Sequence, residues 1–109
     1  MVSHSVVVTP RAQESIRRIV DRLRATISDQ TASHVLKGIN NAIRSLALLP
    51  ESHEVEHLIS DEIIEYRRIL KWNYRIIFTV DKDEIMVLVV EVVSSQQSPE
   101  TLKKNLASR

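Results

Sequence analysis

Apolar positions in this chain change their period twice. Val6, Val7 and Val8 form a β-branched run that stops at Thr9-Pro10, a threonine N-cap followed by a proline suited to the first helical position. From there Ala12, Ile16, Ile19, Val20, Leu23 and Ile27 recur every three or four residues, which predicts a helix over about 11 to 27 with one apolar stripe. Ser28 and Asp29 close that helix and cap a second. In it Ala32, Val35, Leu36, Ile39, Ala42, Ile43, Leu46 and Leu49 keep the period until Pro50. The two make an antiparallel helical hairpin. Gly38, the only glycine, sits inside the second helix, where it costs up to about 1 kcal/mol relative to alanine.

The pattern weakens over 51 to 62, a polar connector, and then becomes strand-like. Strands are expected at about 64 to 71, 74 to 80 and 84 to 93, joined by Trp72-Asn73 and by Asp81-Lys82-Asp83. EIMVLVVEVV, the last of them, is so continuously apolar that it should be central and buried on both faces. After SSQQS, Ser98-Pro99-Glu100 opens a short basic helix carrying Leu102 and Leu106. The expected fold is α+β. A helical hairpin packs on one face of a mainly antiparallel three-strand meander, the N-terminal strand completes a four-stranded sheet, and a short C-terminal helix lies near its end. Ile16, Leu23, Val35, Ile39, Leu46, Ile76, Phe78, Leu88 and Val90 are expected to form one core.

At 109 residues, 43% hydrophobic and 27% charged, the chain has the size and composition of a single globular domain. No apolar run approaches the roughly 18 residues of a membrane span, and MVSHSVVVTP lacks the basic start and apolar length of a secretory signal, so a cytoplasmic location is expected. The absence of cysteine excludes disulfides and thiolate chemistry. A net charge of +1 argues against broad polyanion binding, so any nucleic-acid contact must come from a local patch.

One stretch concentrates charge. YRRILKWNYRIIF, residues 66 to 78, carries Arg67, Arg68, Lys71 and Arg75 with no acidic residue among them. Strand alternation puts Arg75, Ile77 and Thr79 on one face and Tyr74, Ile76, Phe78 and Val80 on the other, so Arg75 can point into a groove. Arg68 and Lys71 can join it from the neighbouring strand. The bland reading is a solvated sheet face, or ion pairs to Glu65, Asp61 or Glu91. Trp72 at the hairpin tip can meet a partner or pack on its own chain. HEVEH, residues 53 to 57, matches the zinc-protease pattern H-E-x-x-H letter for letter. It follows Pro50 in a polar connector, though, and surface histidines are the expectation, with no metal site and no cofactor.

VVVTPRAQ opening a helical hairpin, together with YRRILKWNYRIIFTVDKDEIMVLVV, resembles the RelE/ParE superfamily of bacterial type II toxins over nearly the whole chain. The most specific part is Tyr66-Arg67 echoed by Tyr74-Arg75, followed by Ile-Ile-aromatic and a closing apolar strand. The resemblance implies a single toxin domain over 1-109, held inactive by a cognate antitoxin. Members resembling RelE or YoeB cleave mRNA on the ribosome, whereas those resembling ParE poison DNA gyrase.

In the nuclease version the resemblance makes Glu56 the base and Arg75, with Arg68, the cations that stabilise the scissile phosphate. That version also expects an arginine, with a His-Tyr pair or a later tyrosine, at the end of the last strand. This chain has Glu91-Val92-Val93-Ser94-Ser95 there, and Thr101 near the tyrosine position. The sequence therefore leans to a non-catalytic, ParE-like inhibitor of gyrase. A ribosome-dependent mRNA endonuclease and a degenerate member that only binds antitoxin are the alternatives. In the binding versions Arg67, Arg68, Lys71, Trp72 and Arg75 are the candidate partner-binding residues.

Overall fold

The computed structural model describes residues 3 to 94 and Leu106. A short strand, β1 (Ser5–Val8), runs straight into helix α1 (Pro10–Thr26). Thr9 is extended and its Oγ1 accepts from the Ala12 N–H at 3.1 Å, which satisfies one of the free amides of the first turn. Helix α2 (Asp29–Ser45) starts the same way: Ser28 Oγ accepts from the Thr31 N–H at 3.0 Å, and Asp29 places negative charge at the helix start.

The apolar period runs on to Leu49, but α2 ends at Ser45. Proline disfavours right-handed helical backbone in the residue before it. Leu49 accordingly takes a left-handed φ of 51°, and the chain turns into a single 3-10 turn, Pro50–Ser52. Leu46 stays fully buried as the cap residue, so the stripe outlasts the helix.

Strands β2 (Arg67–Lys71), β3 (Tyr74–Asp81) and β4 (Met86–Ser94) complete a sheet of order β1-β4-β3-β2, with β1 parallel to β4 and the other pairs antiparallel. β4 is central, as its apolar run predicts. β2 begins later than expected because the residues before it make turns of their own. Asp61 Oδ1 accepts from the Ile63 and Ile64 amides, and Ser60 Oγ accepts from the Tyr66 N–H.

The expected single core is in fact two, one on each side of the sheet. Ile16, Val35, Ile39, Leu46, Ile76 and Phe78 pack between the helices and the sheet, with Leu23 partly buried against them. Leu88 and Val90 point the other way, into a second cluster with Ile59, Tyr66, Ile77, Val93 and Leu106. Alternation is the reason: a strand apolar at every position feeds both faces. A bulge then shifts the phase. Ile77 pairs with Glu91 and Phe78 with Val89, leaving Val90 without a partner, so Val92 joins the helix-side core and Val93 the opposite one. Leu106 is helical and buried; the rest of the expected C-terminal helix lies outside the described residues.

Candidate functional site

Alternation also divides the cationic run. Arg68 pairs with Ile77 and Leu70 with Arg75, which places both arginines on the face away from the helices. Lys71 pairs with Tyr74 and lies on the helix side, its aliphatic stem near Gly38 of α2. Arg67 pairs with Phe78 and is anchored locally: its guanidinium donates to the Glu51 carbonyl at 3.0 Å, the His53 carbonyl at 2.6 Å and Glu65 Oε1 at 2.9 Å. The candidate partner-binding residues thus do not form one patch.

HEVEH provides what the opposite face lacks. The segment is extended, not helical, and Val55 bridges to Arg67, with Arg68 N–H donating to the Glu54 carbonyl and Glu56 N–H to the Tyr66 carbonyl. Period two then brings Glu54 and Glu56 to the Arg68 side and His53 to the helix side, edge-on to Phe78. Among the described residues no group of three potential ligands could hold a metal ion.

Around Glu56 a compact charge cluster results. The residue is 5% exposed. Its Oε2 lies 3.3 Å from Arg68 Nη1 and 3.6 Å from Arg75 Nε, and Arg68 Nη2 reaches Glu54 Oε2 at 2.7 Å. The Glu56–Arg75 contact is an ion pair without hydrogen-bond geometry, since both atoms are buried and neither finds a hydrogen-bond partner. Two guanidiniums thus face two carboxylates, and the local charge sums to zero. Of the partners the sequence offered, Glu65 pairs with the neighbouring Arg67; Glu54 and Glu56 were not among them. The Glu-x-Glu spacing opposite Arg68 was the signal for the others.

The hairpin tip is the second feature. Trp72 and Asn73 form a two-residue turn in which Trp72 takes a left-handed φ of 51°, a conformation that tight hairpins require. The indole lies across α2 at Gly38. A Cβ there would stand 2.2 Å from its Cη2 and 2.4 Å from its Cζ3, so only glycine leaves room. His34 flanks the ring at 5.0 Å and Lys71 Nζ sits 4.6 Å from its centroid. The indole remains 50% exposed and can still meet a partner.

At the end of β4, where the nuclease pattern has an arginine, Glu91 is 3% exposed. Its Oε2 accepts from Arg11 Nε at 3.2 Å, and its Oε1 from the Ser15 hydroxyl and the Val92 N–H. The carboxylate is fully used in fastening α1 to the central strand.

Read together with comparisons to known proteins, these features have a family. A sequence model described as the ParE toxin of the type II toxin-antitoxin system parDE matches residues 6–99. The chain belongs to the ParE toxin family. Two solved structures share the fold of this ParE-family chain. One is a chromosomal ParDE toxin-antitoxin system from P. aeruginosa, with a TM-score of 0.68 and 15% identity, covering 84% of this chain and 96% of that one. The other is the RelBE2 toxin-antitoxin complex from Mycobacterium tuberculosis, with a TM-score of 0.58 and 16% identity, covering 86% and 93%. A search of curated proteins finds no match.

Proposed function

We propose that this ParE-family chain is the toxin of a type II toxin-antitoxin module, held inactive by a cognate antitoxin, and that it acts by binding DNA gyrase and not by cutting RNA. The observation that carries the proposal is the neutral cluster around Glu56. Metal-free RNA cleavage needs cations free to take up charge on the phosphate and a base free to accept a proton. Arg68 and Arg75 are committed to the buried Glu56, and Arg68 also to the exposed Glu54, so a phosphate would have to displace a buried carboxylate to reach both. Glu91 is likewise committed, to Arg11 and Ser15. A toxin that works by binding needs neither group, and the exposed Trp72 tip offers the kind of aromatic anchor that protein partners use.

Two assays decide it. Added to DNA gyrase, the purified chain is expected to abolish supercoiling; added to translating ribosomes, it is expected to leave mRNA intact. Codon-linked mRNA cleavage that disappears in Glu56→Gln would overturn the proposal in favour of the endonuclease, and inactivity in both assays would leave only antitoxin binding.

A further inference from the structure

Acidic residues are unevenly spaced along the chain. There are 14 of them in 109 residues, yet none between Asp29 and Glu51 and none between Glu65 and Asp81. The fold crosses these two acid-free stretches. Helix α2 runs through the first and the β2–β3 hairpin through the second, and they meet where Trp72 lies over Gly38. The ion pairs made by carboxylates of the 51–65 connector go to Arg67, Arg68, Arg75 and Lys82, and Asp29 is taken by Arg24 at 3.3 Å. Lys37 and Lys71, on either side of the crossing, therefore have no ion-pair partner among the described residues.

Aromatic surface lies between the two lysines. The Trp72 indole is half-exposed, and Lys71 Nζ rests 4.6 Å from its centroid, a cation leaning on a ring in the absence of a carboxylate. The His34 imidazole stands 5.0 Å from the indole, tilted by 33°. His34 also lines a hollow of about 520 Å³ together with Gln30, Thr31, Ser33 and Lys37, none of them acidic. That volume is within the range of small-ligand clefts, about 300 to 1,000 Å³. We propose that the crossing of α2 and the hairpin tip holds a single strand of nucleic acid, with one base stacked on Trp72 and the adjoining phosphates on Lys37 and Lys71.

The chemistry selects among anionic ligands. A duplex keeps its base faces in its own stack, whereas a single strand can turn one out onto an aromatic ring. An acidic peptide would satisfy the lysines and leave the aromatic pair unused. Lys71 is suited to the exchange, because a lysine is a point charge on a flexible stem and its ammonium can leave the ring for a phosphate as the base arrives. With only two ammoniums engaged, binding is local and consistent with a chain of net charge +1. The inference does not depend on gyrase being the target: a failure in the supercoiling assay would leave it standing.

The probes are end-labelled oligothymidylate and oligouridylate of about eight nucleotides, titrated with the full chain and followed by anisotropy. Both are expected to bind, the tighter of the two naming the source of the strand. Affinity should fall with salt at a log–log slope of about −1.4, the value for two phosphates on a single strand. Trp72→Ala, and separately Lys37→Gln/Lys71→Gln, should each weaken binding at least about tenfold, and the lysine pair should also flatten the salt slope. Arg18→Gln/Arg22→Gln removes the same charge from α1, where both residues line a different groove at the end of β4, and should leave affinity within about twofold. Amide and indole N–H shifts in the isotope-labelled, unmodified chain should centre on His34, Lys37 and Trp72, so the site can be located even if a variant folds poorly. No measurable binding, equal losses in the two charge variants, shifts confined to other surfaces, or tighter binding of a duplex or of a polyglutamate peptide would each overturn the proposal.

Discussion

Truncating Arg75 removes one of the two guanidiniums that hold a buried carboxylate. On sequence alone a groove-facing arginine contributes about 0 to 1 kcal/mol to folding, the usual worth of an exposed pair. Its side chain is only 18% exposed, however, and Glu56 behind it is 6% exposed, so Arg75→Ala should destabilise by roughly 1 to 3 kcal/mol. Glu56→Ala should cost a similar amount, because it leaves Arg68 and Arg75 facing each other. The double variant should cost less than the sum by about 1 kcal/mol or more, the mark of a direct pair. Urea denaturation of the three variants checks this; an unchanged midpoint in Arg75→Ala would show that the pair does not hold in solution. The face of Arg75 was legible from the period of its strand. Its partner was not, because Glu56 lies in a connector without periodicity and is placed by a single bridge, Val55 to Arg67.

At the scale of elements, the starts of helices were the most legible features and the turns the least. Thr9-Pro10 and Ser28-Asp29 state their caps in residue type, since a short hydroxyl side chain is what an open amide at the first turn requires. The end of α2 was marked only loosely, by Pro50 five residues beyond Ser45, and the bulge in β4 not at all. Both follow from tertiary fit: Leu46 stays in the core after the helix has ended, and Val90 is left over where Ile77 meets Glu91. Ile85, just before β4, holds a φ of 50°, which is unfavourable for a β-branched residue, and it is 42% exposed. Relief of strain worth about 1 to 3 kcal/mol should outweigh the extra chain entropy of glycine, about 0.5 to 1 kcal/mol, so Ile85→Gly is expected to raise stability by roughly 1 kcal/mol. Thermal melting of that single variant is sufficient; a lower midpoint would contradict the strain.

Considered whole, the molecule is a sheet with an apolar cluster on each side, and the sequence did not separate them because β4 contributes to both without alternating in polarity. Leu46→Ala on the helix side and Ile77→Ala on the other should each destabilise by about 2 to 5 kcal/mol, and together by their sum within about 0.5 kcal/mol, since they share no cluster. A large departure from the sum in denaturant titrations would mean that the two sides yield as one unit. The seating of the sole tryptophan on the sole glycine has a practical consequence. Indole emission moves to longer wavelength as the ring meets more water, so the protein carries a single built-in indole reporter at the joint between its β2–β3 hairpin and α2. A partner that covers the tip should shift the emission to the blue; one that lifts the hairpin from the helix should shift it to the red. The two modes of engagement become distinguishable by colour without attaching a dye.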